Sequence, residues 1–86
     1  MYNLLFRKPV EKQIRKLPTR IRIVVAKKIQ ALIKNPYPDG VSKLTGTGNM
    51  YRVRCADYRI VYSINNGELI IIIIRVVHRK EVYRDL

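Results

Sequence analysis

Three arginines share one short stretch of this chain, Tyr51-Arg52-Val53-Arg54-Cys55-Ala56-Asp57-Tyr58-Arg59-Ile60-Val61-Tyr62. Residues alternate on either side of the break at Ala56-Asp57, which predicts a β-hairpin with a two-residue loop. In that register Cys55 pairs with Tyr58, Arg54 with Arg59, Val53 with Ile60 and Arg52 with Val61. Directly paired residues share a face, as do alternate residues along a strand, so Arg52, Arg54 and Arg59 project together. Like charges opposed on a sheet are destabilising, and a fold with no use for them would gain by losing them. The cluster therefore reads as an anion site. A second cationic group follows near the end of the sequence: Arg75, His78, Arg79 and Lys80, with Tyr83 close by. Arginine matches phosphate bidentately and keeps its charge at any working pH.

Such a set suits phosphodiester chemistry. Cleaving RNA without a metal requires a proton to leave the 2′-hydroxyl, charge on the pentavalent phosphorus to be stabilised, and the departing 5′-oxygen to be protonated. Convergent arginines supply the second requirement, and His78, Tyr83 or Glu81 are available for the others. Residue types alone leave phosphate binding and phosphate cleavage equally open. Other chemistries fit less well. One histidine, one cysteine and six scattered acids do not make a metal cluster, so neither a metal nor any other cofactor is expected. A Cys55–His78 pair is disfavoured, because the hairpin register turns Cys55 away from the arginines, as a buried structural thiol.

Charge points the same way. A formal net charge of +12 on 86 residues implies an anionic partner. The segment from Arg7 to Lys34 holds ten of the basic residues against the single acid Glu11. A solvated helical surface usually mixes its signs; this one does not, which favours a surface facing a polyanion. Lys27, Lys28, Lys43, Arg75 and Lys80 are the expected RNA-binding residues beyond the arginine cluster. Met1 to Phe6 is too short for a signal peptide core and is followed by Arg7-Lys8. The longest apolar run, Leu69 to Ile74, falls far short of a membrane span, so no membrane is expected as a partner. With a lone cysteine, the expected location is the cytoplasm.

The elements that position these residues follow from periodicity. Tyr2 to Phe6 suits a first strand. Pro9 can open a helix in which Val10, Ile14 and Leu17 form one stripe, closed by Pro18. Thr19 is the expected N-cap of a longer helix with Ile21, Val25, Ile29, Leu32 and Ile33 on its apolar side, ending near Asn35-Pro36. Two helices joined by about two residues make an αα-hairpin. Asn35 to Gly40 is a turn cluster, and Lys43-Leu44 can pair briefly as a weak edge strand. The glycines near 46 and 48 lack the following helix and the Gly-Lys-Ser/Thr ending of a phosphate loop. After the arginine hairpin, Asn65-Asn66-Gly67 signals another tight turn. Leu69 to Val77, apolar apart from Arg75, reads as a strand near the middle of the sheet and buried on both faces. The expected fold is one α+β domain over residues 1–86. It has an N-terminal strand, an αα-hairpin packed on one face of an antiparallel sheet of about four strands, and a short C-terminal tail. The arginines would occupy the open face.

These residues carry a resemblance. The hairpin Tyr51-Arg52-Val53-Arg54…Asp57-Tyr58-Arg59-Ile60-Val61-Tyr62 resembles the central hairpin of the RelE/ParE superfamily of bacterial and archaeal toxins. So does the ending Arg75-Val76-Val77-His78-Arg79-Lys80-Glu81-Val82-Tyr83-Arg84. The connection Asn35-Pro36-Tyr37-Pro38-Asp39-Gly40…Lys43-Leu44…Gly46 is similar to that family's helix-to-strand segment. The resemblance spans essentially the whole chain. It implies the toxin of a type II toxin–antitoxin pair, with an acidic, RelB-like antitoxin as partner. The RelE branch cuts messenger RNA on the ribosome without a metal; the ParE branch shares the fold and inhibits DNA gyrase. Under the RelE reading, the partners are ribosome and mRNA, and Arg52, Arg54, Arg59, Arg79 and Tyr83 correspond to catalytic positions. The first two hairpin positions are lysines in the best-known member and arginines here. Lysine can shed a proton when its pKa falls, and arginine effectively cannot. A general-base role therefore does not carry over to Arg52 or Arg54, and His78 becomes the candidate proton carrier.

Overall fold

The computed structural model describes residues 1–44, 46, 48–78 and 80. Its elements are β1 (Asn3–Phe6), α1 (Val10–Arg15), α2 (Thr19–Lys34), β2 (Ser42–Lys43), β3 (Met50–Cys55), β4 (Tyr58–Asn65) and β5 (Ile70–His78). The architecture is the expected α+β arrangement of two helices against one sheet. The five strands lie in the order β1-β5-β4-β3-β2. Four of them form an antiparallel run, and β1 joins its far edge parallel to β5, Asn3 beside Ile70 and Phe6 beside Ile73. Parallel neighbours need a long crossover, and the chain between β1 and β5 supplies one.

The helices follow the apolar stripes. Val10 is fully buried at the start of α1, and Val25, Ile29 and Leu32 are buried along α2. Pro18, rather than Thr19, occupies the cap position of α2. Pro18 has no N–H to leave unsatisfied, and its carbonyl accepts the Arg22 N–H at 2.9 Å. The Thr19 hydroxyl instead accepts from the Arg22 guanidinium at 3.2 Å.

The helices close over one side of the sheet. Val10, Val25, Ile29 and Leu32 pack with Val53, Cys55, Ile60, Tyr62, Ile64, Ile71, Ile73 and Val76 in a single core. Tyr62 is the largest side chain fully enclosed there, and its hydroxyl donates to the Pro36 carbonyl at 2.7 Å. That bond satisfies the one polar atom the ring brings into the core. Burial pushes the Tyr62 phenol far above its ordinary range, with Tyr51 and Tyr37 nearby adding to the effect. Gln13 reaches from α1 to accept the Val76 N–H at 3.0 Å, just where β1 has ended and no longer pairs with β5.

The isoleucine strand departs from expectation in one respect. Ile71, Ile73 and Val76 are buried, while Ile70, Ile72 and Ile74 are only half-buried. Helices cover one face of β5, so the run is buried on one side. Among the described residues its second face has no covering element and is only half-shielded. No helix among the described residues is long and apolar enough to cross a membrane.

Candidate functional site

The hairpin of β3 and β4 has the register that alternation predicts. Arg54 lies opposite Arg59, Arg52 opposite Val61, and Cys55 opposite Tyr58 across the loop Ala56-Asp57. Val53, Cys55, Ile60 and Tyr62 enter the helix-covered core, so Arg52, Arg54 and Arg59 stand on the open face. Neither β3, β4 nor β5 contains an acidic residue. Their mutual repulsion is thus not offset by any carboxylate within these strands.

A fourth arginine joins them through an irregularity. Val61 pairs with Arg75 and Tyr62 with Ile73, leaving Ile74 as an extra residue on β5. Such a β-bulge shifts the alternation by one position. Strict alternation would send Arg75 to the face of Ile71 and Ile73, which is the core. The bulge turns it out, and Arg52, Val61 and Arg75 form one row across three strands. Arg52 and Arg75 are half-buried on either side of Val61, which is 4% exposed. Their Cα atoms lie two strand spacings apart, about 10 Å. The neighbouring row is Arg54, Arg59 and Val77.

Backbone carbonyls hold two of these side chains. The Arg54 Nε donates to the Ala56 carbonyl at 3.2 Å, which folds the side chain towards the hairpin tip. An Arg59 Nη donates to the Tyr58 carbonyl at 3.3 Å. Ala56 itself has a φ of +56°, in the left-handed region that favours glycine. The chemical capacity of this face is clear: planar donors with permanent charge, set at fixed positions on a rigid sheet, suited to bind phosphate and to stabilise charge that builds on it.

Other sequence-predicted residues fall elsewhere. His78 pairs with Tyr58, which pairs with Cys55, so all three occupy the helix-side face. The His78 and Tyr58 rings meet edge to face with centroids 5.3 Å apart, and the Lys80 N–H approaches the His78 Nδ1 at 3.4 Å. Tyr58 therefore separates Cys55 from His78 and takes the place between them that a Cys–His pair would need. Burial pushes the Cys55 thiol up, against the opposing pull of Lys28, which leaves it a structural side chain. Lys43 pairs with Tyr51 and also lies away from the arginines, exposed on the edge strand β2. Lys27 and Lys28, on α2, border an open groove beside Arg54, Cys55 and Ala56. Lys80 is exposed just past β5. Arg79 and Tyr83 lie outside the described residues, as does Glu81.

The grouping of Arg75 with Arg52 had no signature in the sequence, since an isoleucine run gives no sign of which residue bulges. Tyr58 as the neighbour of His78 was legible only once β4 and β5 were aligned. Among the described residues, no three His, Cys, Asp or Glu side chains come together as a metal site would require.

Comparisons with known proteins agree with this fold. Residues 4–83 match the family model for the ParE toxin of the type II toxin–antitoxin system parDE. The chain is 33% identical over 89 residues to Toxin RelE3 of Methanocaldococcus jannaschii, covering 94% of each protein. Among solved structures it resembles RelE in the archaeal RelE–RelB complex from Pyrococcus horikoshii, with a TM-score of 0.81 and 32% identity over 91% of this chain and 94% of that one. The isolated RelE toxin of Escherichia coli superposes with a TM-score of 0.80 and 25% identity over the full length of both chains.

Proposed function

Because this chain belongs to the RelE/ParE superfamily of type II toxin–antitoxin toxins, we propose that it is a ribosome-dependent endoribonuclease that halts translation by cutting messenger RNA. The observation that carries this reading is the sheet face to which Arg52, Arg54, Arg59 and Arg75 belong by register, on strands without an acidic residue. In this reading the scissile phosphate lies over the two arginine rows. The 2′-hydroxyl oxygen attacks phosphorus, the P–O5′ bond breaks, and the products carry a 2′,3′-cyclic phosphate and a 5′-hydroxyl. Arg59 and Arg52 neutralise the charge that accumulates on the non-bridging oxygens, and Arg54 and Arg75 hold the flanking backbone. Because the arginines are anchored on a sheet, little backbone reorganisation is required as charge develops.

Arginine cannot act as the base, so proton transfer falls to other residues. His78 faces the helix side beside Tyr58, away from the arginine rows. Tyr83 is then the remaining proton carrier that the family resemblance points to, with Arg79 as a further cation. The ribosome supplies the substrate in an ordered conformation, which lowers the entropic cost of reaching in-line geometry.

RelE is seen with RelB in the Pyrococcus and Escherichia complexes. For this chain we infer an acidic antitoxin that covers the arginine face, since a net charge of +12 needs a counterpart in the cell. The test is to induce the protein and map transcript ends: cuts within translated codons, absent when ribosomes are stalled upstream, are expected. The matching family model is named for ParE, which favours gyrase inhibition as the second reading. DNA-damage signalling with intact transcripts after induction would select it and reject the nuclease.

A further inference from the structure

Arg54 belongs to two surfaces. By register it stands on the open face opposite Arg59, yet its side chain folds over the hairpin tip, where the Nε meets the Ala56 carbonyl. Around that tip lies an open groove of about 390 Å³ between α2 and the hairpin. Lys27, Lys28 and Arg54 supply its charge, and no acidic or aromatic residue lines it. Its remaining walls are small or apolar, with Ala31 on α2 and Ala56 on the hairpin allowing close approach. At the opposite end of the same sheet face the residues are uncharged: Ser63, Ile70 and Ile72. Past the tip, a polyanion held on the arginine rows meets further cations at Lys27 and Lys28.

Resting on the RNA-cleaving function proposed above, we propose that this groove is a second phosphate subsite for the same RNA strand, which passes from Arg59 over Arg54 to Lys27 and Lys28. The groove has no aromatic ring to stack a base and no side-chain amide or carboxylate to read one. It therefore holds sugar–phosphate backbone irrespective of sequence and sets the direction in which the strand leaves the site. Lysine suits this role as a mobile point charge, whereas the arginines at the reacting phosphate are planar and fixed.

The experiment measures binding of the full chain to a short single-stranded 2′-O-methyl RNA oligonucleotide, which cannot be cleaved through its 2′ position, across a range of salt. Each phosphate contact in a single strand contributes about 0.7 to the slope of log affinity against log salt. Lys27→Ala/Lys28→Ala should flatten that slope by about 1.4, and Lys27→Arg/Lys28→Arg should restore it. Lys8→Ala/Lys12→Ala removes the same charge beside Glu11, in a different open groove on α1, and should change the slope less. Equal flattening in both alanine pairs, or none in the Lys27/Lys28 pair, overturns the subsite while leaving the nuclease reading intact. Failure of the unmutated chain to bind the oligonucleotide at all also overturns the subsite, whereas the nuclease reading is decided separately by mapping transcript ends. An unchanged RNA slope with lost binding to polyglutamate would assign the groove to an acidic protein and so overturn the RNA subsite.

Discussion

The two faces of this one sheet are built on opposite terms. On the helix side, Tyr62, Ile60, Ile71 and Ile73 are buried, and the single polar atom brought in by Tyr62 has a partner. On the open side, two arginines oppose each other directly and a third and fourth flank a valine. The first face is held by apolar area removed from water, and its residues gain from every neighbour. On the second, the directly opposed Arg54 and Arg59 repel each other, since like charges paired across strands are destabilising. The stability of one face thus tolerates the repulsion of the other.

The largest effect that can test this division is on the helix side. Tyr62→Ala should cost ~3–5 kcal/mol, because it leaves a cavity under α2 and orphans the Pro36 carbonyl. Chemical denaturation reads that loss directly, and a cost below that of an ordinary surface change would show that the core lies elsewhere. On the open side the expectation reverses. Arg59→Ala should lower the cleavage rate by ~10²–10³. It should leave stability unchanged or raise it by up to ~1 kcal/mol, since it removes the charge opposite Arg54. His78→Ala, on the helix side, should reduce the rate far less than Arg59→Ala. Equal losses in the two variants, assayed on programmed ribosomes, would join His78 to the arginine site and blur the two faces.

A smaller effect belongs to the tip where the faces meet. Ala56 holds φ at +56° without being glycine. Ala56→Gly should relieve that strain and raise stability by about 1 kcal/mol, with the carbonyl that holds Arg54 retained. Thermal melting with parallel rate measurements separates the two consequences, and a drop in melting temperature would contradict the strained turn.

The smallest effect is alkaline. Cys55 and Tyr62 both titrate above their ordinary ranges in the folded chain, chiefly because burial disfavours the charged form. The unfolded chain therefore loses these protons first as pH rises, which favours unfolding. The stability they contribute is full below the ordinary thiol and phenol ranges and is lost as pH climbs through the shifted values. Cys55→Ala should remove part of this alkaline slope, measured as denaturation midpoint against pH. An unaltered slope would place the thiol in contact with solvent.

Much of this protein is determined locally and so is legible in its residues. Alternation around Ala56-Asp57 sets the hairpin register, because a strand has a period of two and a two-residue loop leaves no slack. Spacing of Val25, Ile29 and Leu32 sets the buried side of α2, because a helix returns to the same face every three or four residues. Net charge raises the expectation of an anionic partner whatever the fold. Other features depend on contacts between segments far apart in the chain. Nothing in Tyr2 to Phe6 says that β1 joins the sheet parallel to β5; that choice is made where the helices return the chain to the sheet. The side of β5 that carries Arg75 was decided by a bulge at Ile74. Five consecutive isoleucines satisfy either face equally, and only pairing against Val61 and Tyr62 breaks the tie. His78 was likewise assigned to the helix side by pairing with Tyr58 rather than by its closeness in sequence to Arg75 and Arg79. A residue's type states what chemistry it can do, but the ladder of hydrogen bonds states which face receives it.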